Sequence, residues 1–470
     1  MLGKIASFIE IVFGIILFVA VGLSSAGDSF DLKEGNYFLK YDSNNAFQWG
    51  LAVGEEELVN FLSAPSGTAI YTWSFRSTKD ESVSLLRRIE ASGEIGWEKH
   101  FSPSFGSSGS IFVGLNDEII LVTDEDYAKI LTGYNSAGGE ILSIEISEDD
   151  ADHKIYRAFI DSSGNIILGM ENFYQSDEYS ATIAKYDSSG IQLYEYNIEN
   201  AVFGQLILDE ENNPYYSFLI YKDQLRNYKI GRLAENGEPL WEDNLDGDNN
   251  ADFDCNIGEP DALILDNEKQ ELSFAGIKLC SLEGDEKKGV LLKAKRKLSG
   301  ETLDNGEIII SYPYLIMEID FDQDKNIYVF GDDFSEEGLA INKYSTQTGL
   351  ELWQWKESEY QDAPDYNVVP YLTAFNKLYM AGELGFFKGL LSQGRVKPFY
   401  SIYDENGNLE CENRLELLPI YNARVDNIIV SSEKDVYLFT EIVKRTPTKS
   451  ATDGTGSEGN DDNPSEGCGC

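Results

Sequence analysis

Histidine is nearly absent from this 470-residue chain, which holds only His100 and His153. That leaves little material for histidine-based acid–base chemistry or zinc coordination. Cysteine is scarce too, at five residues, and no two are adjacent. Basic residues number 37 against 82 acidic ones, a net charge of −45. So acidic a surface repels phosphate backbones and anionic lipid heads, which excludes nucleic acid as the expected partner. Beyond the first segment no run is apolar enough to span a membrane. No P-loop, dinucleotide fingerprint or G-x-S-x-G elbow occurs. What remains is 42% hydrophobic and 12% aromatic, a composition that folds.

The N-terminus carries Lys4 and then Ile11–Leu23, 13 uncharged residues followed by Ser24-Ser25-Ala26. This pattern predicts a signal peptide over residues 1–26, cleaved after Ala26. An uncleaved membrane anchor is the competing reading, against which Glu10 stands as a costly charge in lipid. The expectation is export to an extracellular, periplasmic or cell-surface location. With no cysteine near the cleavage point, an N-terminal lipoprotein is excluded. At the other end, residues 446–470 hold no aromatic and no aliphatic residue larger than Ala451, and read as a disordered acidic tail ending in Cys468-Gly-Cys470.

Residues 37–445 are organised by a repeat. A strand, a polar turn ending in Gly or Asn, and a large residue four positions later recur as Leu39–Trp49, Arg87–Trp97, Thr132–Leu142, Ala184–Tyr194, Gly231–Trp241, Asn342–Trp353 and Ser401–Cys411, with a degenerate copy at Lys293–Asp304. The turn residues, Asn45, Gly93, Gly138, Gly190, Gly237, Gly300, Gly349 and Gly407, tolerate the positive φ of a tight hairpin. They recur every 45 to 63 residues, the size of a four-stranded blade. Eight β-rich strands alternate with them: Thr68–Phe75, Glu118–Thr123, Asn165–Met170, Pro214–Tyr221, Glu271–Gly276, Asn326–Gly331, Lys377–Gly382 and Asp435–Glu441. The region opens with one half of the unit and closes with the other. The expected fold is therefore all-β, a single closed β-propeller of eight four-stranded blades whose N- and C-terminal strands share one blade. Seven blades is the alternative, if the degenerate copy belongs to an insertion.

With tryptophan four residues after a turn glycine, the copies resemble the PQQ-type β-propeller repeat, most closely at Tyr344–Trp353 and more loosely at Lys185–Tyr194 and Tyr403–Cys411. The resemblance implies a propeller fold. It is shared by quinone-dependent dehydrogenases, assembly scaffolds and surface proteins, so it does not choose among functions. Quinoprotein enzymes of that group hold their cofactor beneath a ring of adjacent disulfide-bonded cysteines, which this sequence lacks. No catalytic residue and no cofactor is assigned; calcium is the one ion considered.

Asp246, Asp248, Asn250 and Asp252 alternate as oxygen ligands of a calcium loop would, although Ala251 and Ile257 break the EF-hand pattern. Asp320–Asn326 repeats the alternation. Cys255 and Cys280 flank a hairpin with its turn at Asp266–Lys269, a register that sets them opposite each other in a bulge-free ladder and predicts a disulfide in an oxidising compartment. Cys411 replaces the repeat tryptophan and reads as a packing thiol. Six basic residues lie within Lys287–Lys297; they read as a lysine-bearing edge strand, with a docking patch as the alternative. The functional expectation is an exported, non-enzymatic binding or scaffold module with a protein or cell-surface ligand. A quinone-dependent oxidoreductase with its site in the central channel, and a structural envelope protein held by its N-terminal segment, uncleaved in the membrane, or by its cysteine tail, are the alternatives.

Overall fold

A computed structural model describes residues 35–444 except 45, 55, 78–81, 102–108, 115, 126–127, 148–150, 175–178, 223–224, 246–254, 282–286, 311–313, 334–337, 357–368, 373–375, 385–396 and 415–420. The expected signal peptide, the acidic tail with Cys468 and Cys470, and the calcium loop Asp246–Asp252 lie outside the described residues.

The chain forms eight antiparallel four-stranded sheets. Blades 1 to 7 take residues 56–101, 110–147, 151–199, 201–245, 255–310, 314–356 and 369–414 in order. Blade 8 is composite. Tyr421–Val430 and Val436–Lys444 supply its first two strands, and Gly35–Tyr41 and Phe47–Gly54 its last two. Gly35–Tyr41 pairs with Val436–Lys444 over seven residues without a break, so the two chain ends are joined and the ring closes. The degenerate copy is the outer hairpin of a complete blade 5, which settles eight blades over seven. At its docking position Asp304 takes an ion pair with Lys293 at 2.6 Å in place of aromatic packing.

The first strand of each blade is the innermost. Contacts run from first strand to first strand from blade 7 through blade 8 and on round to blade 6. The fourth strands alternate exposed and half-buried residues, as an outer edge does. The core lies between blades: Phe38, Phe61, Ile70, Ile89, Tyr437 and Phe439, for example, form one buried cluster across blades 8 and 1.

Two tight turns per blade lie on the same face of the ring. Those between third and fourth strands carry positive-φ glycines; those between first and second strands place Gly67, Asp117, Gly164, Asn212, Gln270, Lys325, Asn376 and Lys434 in the same left-handed conformation. Many turns open with an aspartate that caps its own backbone. Asp161 Oδ1, for instance, accepts from the N–H groups of Ser163 and Asn165 at 2.8 and 2.9 Å.

The basic segment proves to be the third strand of blade 5, Lys287–Lys297, paired on both sides rather than at an edge. Lys293, Lys295 and Lys297 each meet a carboxylate, from Asp304, Glu271 and Glu301. Arg296 is fully buried and bonds Asp243 of blade 4 and Asn305. These cations neutralise local acids instead of forming a free patch.

Candidate functional site

Burial alternates along the innermost strands. Phe61, Ile111, Ala158, Leu206, Ile319 and Ile428 are buried between blades. Their neighbours Leu62, Phe112, Phe159, Ile207 and Asp320 are half-buried, and Arg157 and Glu318 are exposed. Both faces of each strand thus join interblade cores: Ile111 packs between blades 1 and 2 and its neighbour Phe112 between blades 2 and 3, Ala158 between blades 2 and 3 and its neighbour Phe159 between blades 3 and 4. Asp320 is the acidic member of an otherwise apolar level, and Arg157 and Glu318 lie one level away.

Bulges shape these strands. Six innermost strands carry a register shift near mid-strand, including those at Ile155/Arg157, Phe203/Leu206, Ile257/Asp261 and Ile316/Glu318. A bulge re-aims side chains, and these bring three blades into one polar network. Arg157 Nη2 donates to Gln205 Oε1 at 2.9 Å, and Gln205 Nε2 donates to the Asp261 carbonyl at 3.2 Å. The Ser217 hydroxyl donates to Asp261 Oδ2. Gly204 leaves room for it, since a Cβ there would sit 2.5 Å from that oxygen. Burial pushes the Asp261 carboxyl up to about 6, against the pull of Ser217, Gln205 and Arg157. Desolvation lowers the Arg157 pKa, against the pull of Asp261.

On blade 6, Glu318 and Asp320 stand two residues apart on one side of the innermost strand, opposite the side on which Ile319 and Phe321 pack on blade 5. Burial, then the Glu318 and Asp322 charges, push Asp320 up to about 7, so it exchanges a proton near neutrality. Burial raises Glu318 as well. This pair can shuttle a proton or attract a cation.

The second conspicuous arrangement is at the turn face. Trp49, Trp97, Trp241 and Trp353 each lie over the turn glycine of the following blade, Gly93, Gly138, Gly300 and Gly407. Each indole N–H donates across the junction, to the carbonyls of Ala91, Ser136, Leu298 and Glu405 at 2.9–3.0 Å. Lysines reinforce two of these junctions: Lys40 and Lys343 donate to the Ala91 and Glu405 carbonyls while pairing with Asp435 and Asp322. Where tryptophan is missing, Ile144 covers Gly190 and Ile308 covers Gly349.

The sequence candidates are scattered over this frame. Cys255 and Cys280 are opposite each other in the ladder, by a different route from the one expected. The turn pairs Asp266 with Glu271, a register that would carry Cys255 two residues past Cys280. The bulge between Ile257 and Asp261 takes up those two residues. Within Asp320–Asn326 the carboxylates diverge. Asp322 pairs with Lys343 and Asn326, and Asp324 accepts from Asn376 of blade 7. No group of three or more His, Cys, Asp or Glu able to hold a metal ion occurs among the described residues. His100 lies on an outer strand against Glu98, and His153 bonds Asn172 at 2.7 Å. Cys411 is buried beside Tyr400 and Ile402. Arg157 and Asp261 carry no motif of their own in the sequence, and the register that joins them depends on the bulges.

No family model matches the chain, and a search of curated proteins finds no match. Solved structures with a similar fold include prolyl oligopeptidase B from Galerina marginata (11% identity, 82% of this chain and 54% of that one, TM-score 0.45). The C-terminal WD40 domain of Sif2 is another (12% identity, 89% and 100% covered, TM-score 0.48). A third is the polysaccharide lyase Uly1 (10% identity, 74% and 88% covered, TM-score 0.42). This chain spans about half the length of the prolyl oligopeptidases it matches. These are distant likenesses of fold, and the chain is an eight-bladed β-propeller.

Proposed function

We propose that this chain is a propeller of the PQQ-type repeat group, exported to the cell surface, where it serves as a non-enzymatic binding or scaffold module. The spacing behind the resemblance has a physical role here, since at five junctions the residue four positions after the turn residue, Trp49, Trp97, Tyr194, Trp241 or Trp353, docks on the next blade. The observation that carries the binding role is the distribution of exposed apolar side chains. Of the eleven large ones among the described residues, ten lie at the start of an outermost strand, beside the turn face, and every blade supplies at least one. Phe47, Ile95, Ile141, Leu193, Leu240, Leu303, Leu352 and Leu409 thus ring the rim. Apolar groups repeated at one height on a strongly acidic body fit a protein partner with apolar contacts set among basic residues. Replacing Leu193, Leu240 and Leu303 together by serine should release the partner recovered with the native full-length protein. The unfolding midpoint should stay within a degree or two. Retention of the partner by the folded variant would refute the reading.

A second reading, a quinone-dependent oxidoreductase with its site in the channel, is favoured by one observation. Two carboxylates, Glu318 and Asp320, lie two residues apart on an innermost strand, and burial raises Asp320 to about 7. It would require the cofactor to be held without the adjacent cysteines of the quinoproteins.

A further inference from the structure

The junction between blades 3 and 4 departs from its sisters. Its docking position is held by Tyr194, whose ring covers Gly237 as the indoles cover theirs: a Cβ on that glycine would meet ring Cγ at 2.5 Å. A phenol is narrower than an indole and has no N–H at its edge. The Glu235 carbonyl, which corresponds to those of Ala91, Ser136, Leu298 and Glu405, receives no hydrogen bond from a described residue. Lys185 does not replace the missing donor. It pairs with Asp161 at 2.8 Å, whereas Lys40 and Lys343 also reach the next turn's carbonyl.

The space the indole would have filled is open. A cavity of about 280 Å³ lies here, bounded among others by Asp161, Lys185, Tyr194, Glu211, Asn212 and Glu235. Tyr194 is only 8% exposed, and its hydroxyl has no hydrogen-bond partner among the described residues. The hydroxyl is not among the buried atoms that lack a partner, so it meets solvent in the cavity, where a ligand can take the place of water. The charges on the wall are three carboxylates, Asp161, Glu211 and Glu235, against the single Lys185 ammonium.

We propose that this cavity binds a small organic cation carrying N–H donors, specifically a guanidinium group. Its N–H would meet the Glu235 carbonyl where the sister junctions place an indole N–H. The Tyr194 oxygen would accept a second, and the two uncompensated carboxylates would balance the charge. The volume holds a guanidinium with a short alkyl stem and a few waters of roughly 30 Å³ each. This site is separate from the rim and does not depend on the role proposed for it.

The test is ligand-detected saturation-transfer NMR on the full chain with methylguanidinium, with methylurea as a neutral probe of the same shape. Methylguanidinium should bind saturably with a millimolar-range Kd, and methylurea about tenfold more weakly or worse. Tyr194→Trp should fill the cavity, supply the N–H and abolish binding, without lowering the urea midpoint. Glu235→Gln keeps the fold and should weaken binding severalfold, so the test stands even if the tryptophan variant fails to fold. Absence of saturable binding, equal binding of methylurea, or undiminished binding by Glu235→Gln or folded Tyr194→Trp would overturn the proposal.

Discussion

Replacing Gly93 and Gly164 by alanine should separate the cost of a left-handed turn from the cost of undocking an indole. Both glycines close the same type of turn, with a backbone bond to the residue three earlier at 2.8 and 2.9 Å. Their φ values are +89° and +81°. An alanine forced into that conformation costs about 1–2 kcal/mol at either site. At Gly164 nothing lies within 4 Å of the added Cβ, so the cost ends there. At Gly93 the Cβ would sit 2.7 Å from Cδ2 of Trp49 and 2.9 Å from its Cγ. Backbone and ring are both rigid, so the indole must lift away. It then loses its 2.9 Å bond to the Ala91 carbonyl, worth about 1 kcal/mol net, and part of its packing, worth about 1 kcal/mol more. Gly93→Ala should therefore cost about 3–4 kcal/mol and Gly164→Ala about half that or less. Urea unfolding followed by far-UV circular dichroism measures both. A double-mutant cycle with Trp49→Ala should return a coupling of about 2 kcal/mol. Equal losses at the two glycines, or a Gly93→Ala cost unchanged in the Trp49→Ala background, would refute the docking argument.

Other consequences follow from single contacts. Lys343 and Asp322 form a 2.8 Å pair with side chains 2% and 0% exposed, so Lys343→Met should cost about 3–5 kcal/mol by stranding a buried carboxylate. Adding Asp322→Asn, which keeps the turn cap, should recover part of that in urea titrations. The raised pKa of Asp320 has a definite sign. The folded protein holds this proton up to about 7 and the unfolded chain only to about 4, so the group's contribution to stability falls as pH rises between those values and is constant above. Asp320→Asn should remove that slope, read as the difference between the urea midpoints of native protein and variant from pH 4 to 8; an unchanged slope would refute the burial argument. Peptide mapping without reduction should recover Cys255 and Cys280 in one linked pair, a bond their opposed ladder positions allow, whereas alkylation of both without prior reduction would exclude it.

How much was legible in the sequence differs from element to element. The outer hairpins stood out because a tight turn demands a residue that tolerates positive φ, and glycine meets the demand in seven of them. The inner turns need the same conformation but fill it with Asp117, Asn212, Gln270, Lys325, Asn376 and Lys434 as well as glycine, so no single letter marks them. The closing blade was legible because half a repeat unit stood at each end. The role of Lys287–Lys297 was not, since a run of lysines looks the same on an edge strand and on an inner strand whose neighbours supply Glu271, Glu301 and Asp304. Bulges defeat reading by alternation: one extra residue before Arg157 reverses which side the strand shows, two before Asp261 shift its register, and only pairing reveals that the two belong to one network. The cavity did have a signal, a tyrosine in a tryptophan position. As a packing residue Tyr194 is equivalent to its neighbours; what differs is the absent N–H, which matters only once the Glu235 carbonyl is in place.

The central claim, a binding module rather than a quinone-dependent enzyme, is tested most directly by thermal unfolding of the full chain alone, with calcium, and with calcium plus pyrroloquinoline quinone. A ligand present at a hundred times its Kd stabilises its protein by about 2.7 kcal/mol, a readily visible shift. The account predicts that the quinone adds nothing to whatever calcium does alone. A midpoint that rises only when both are present would contradict it and return a quinone site in the channel to the centre of the function.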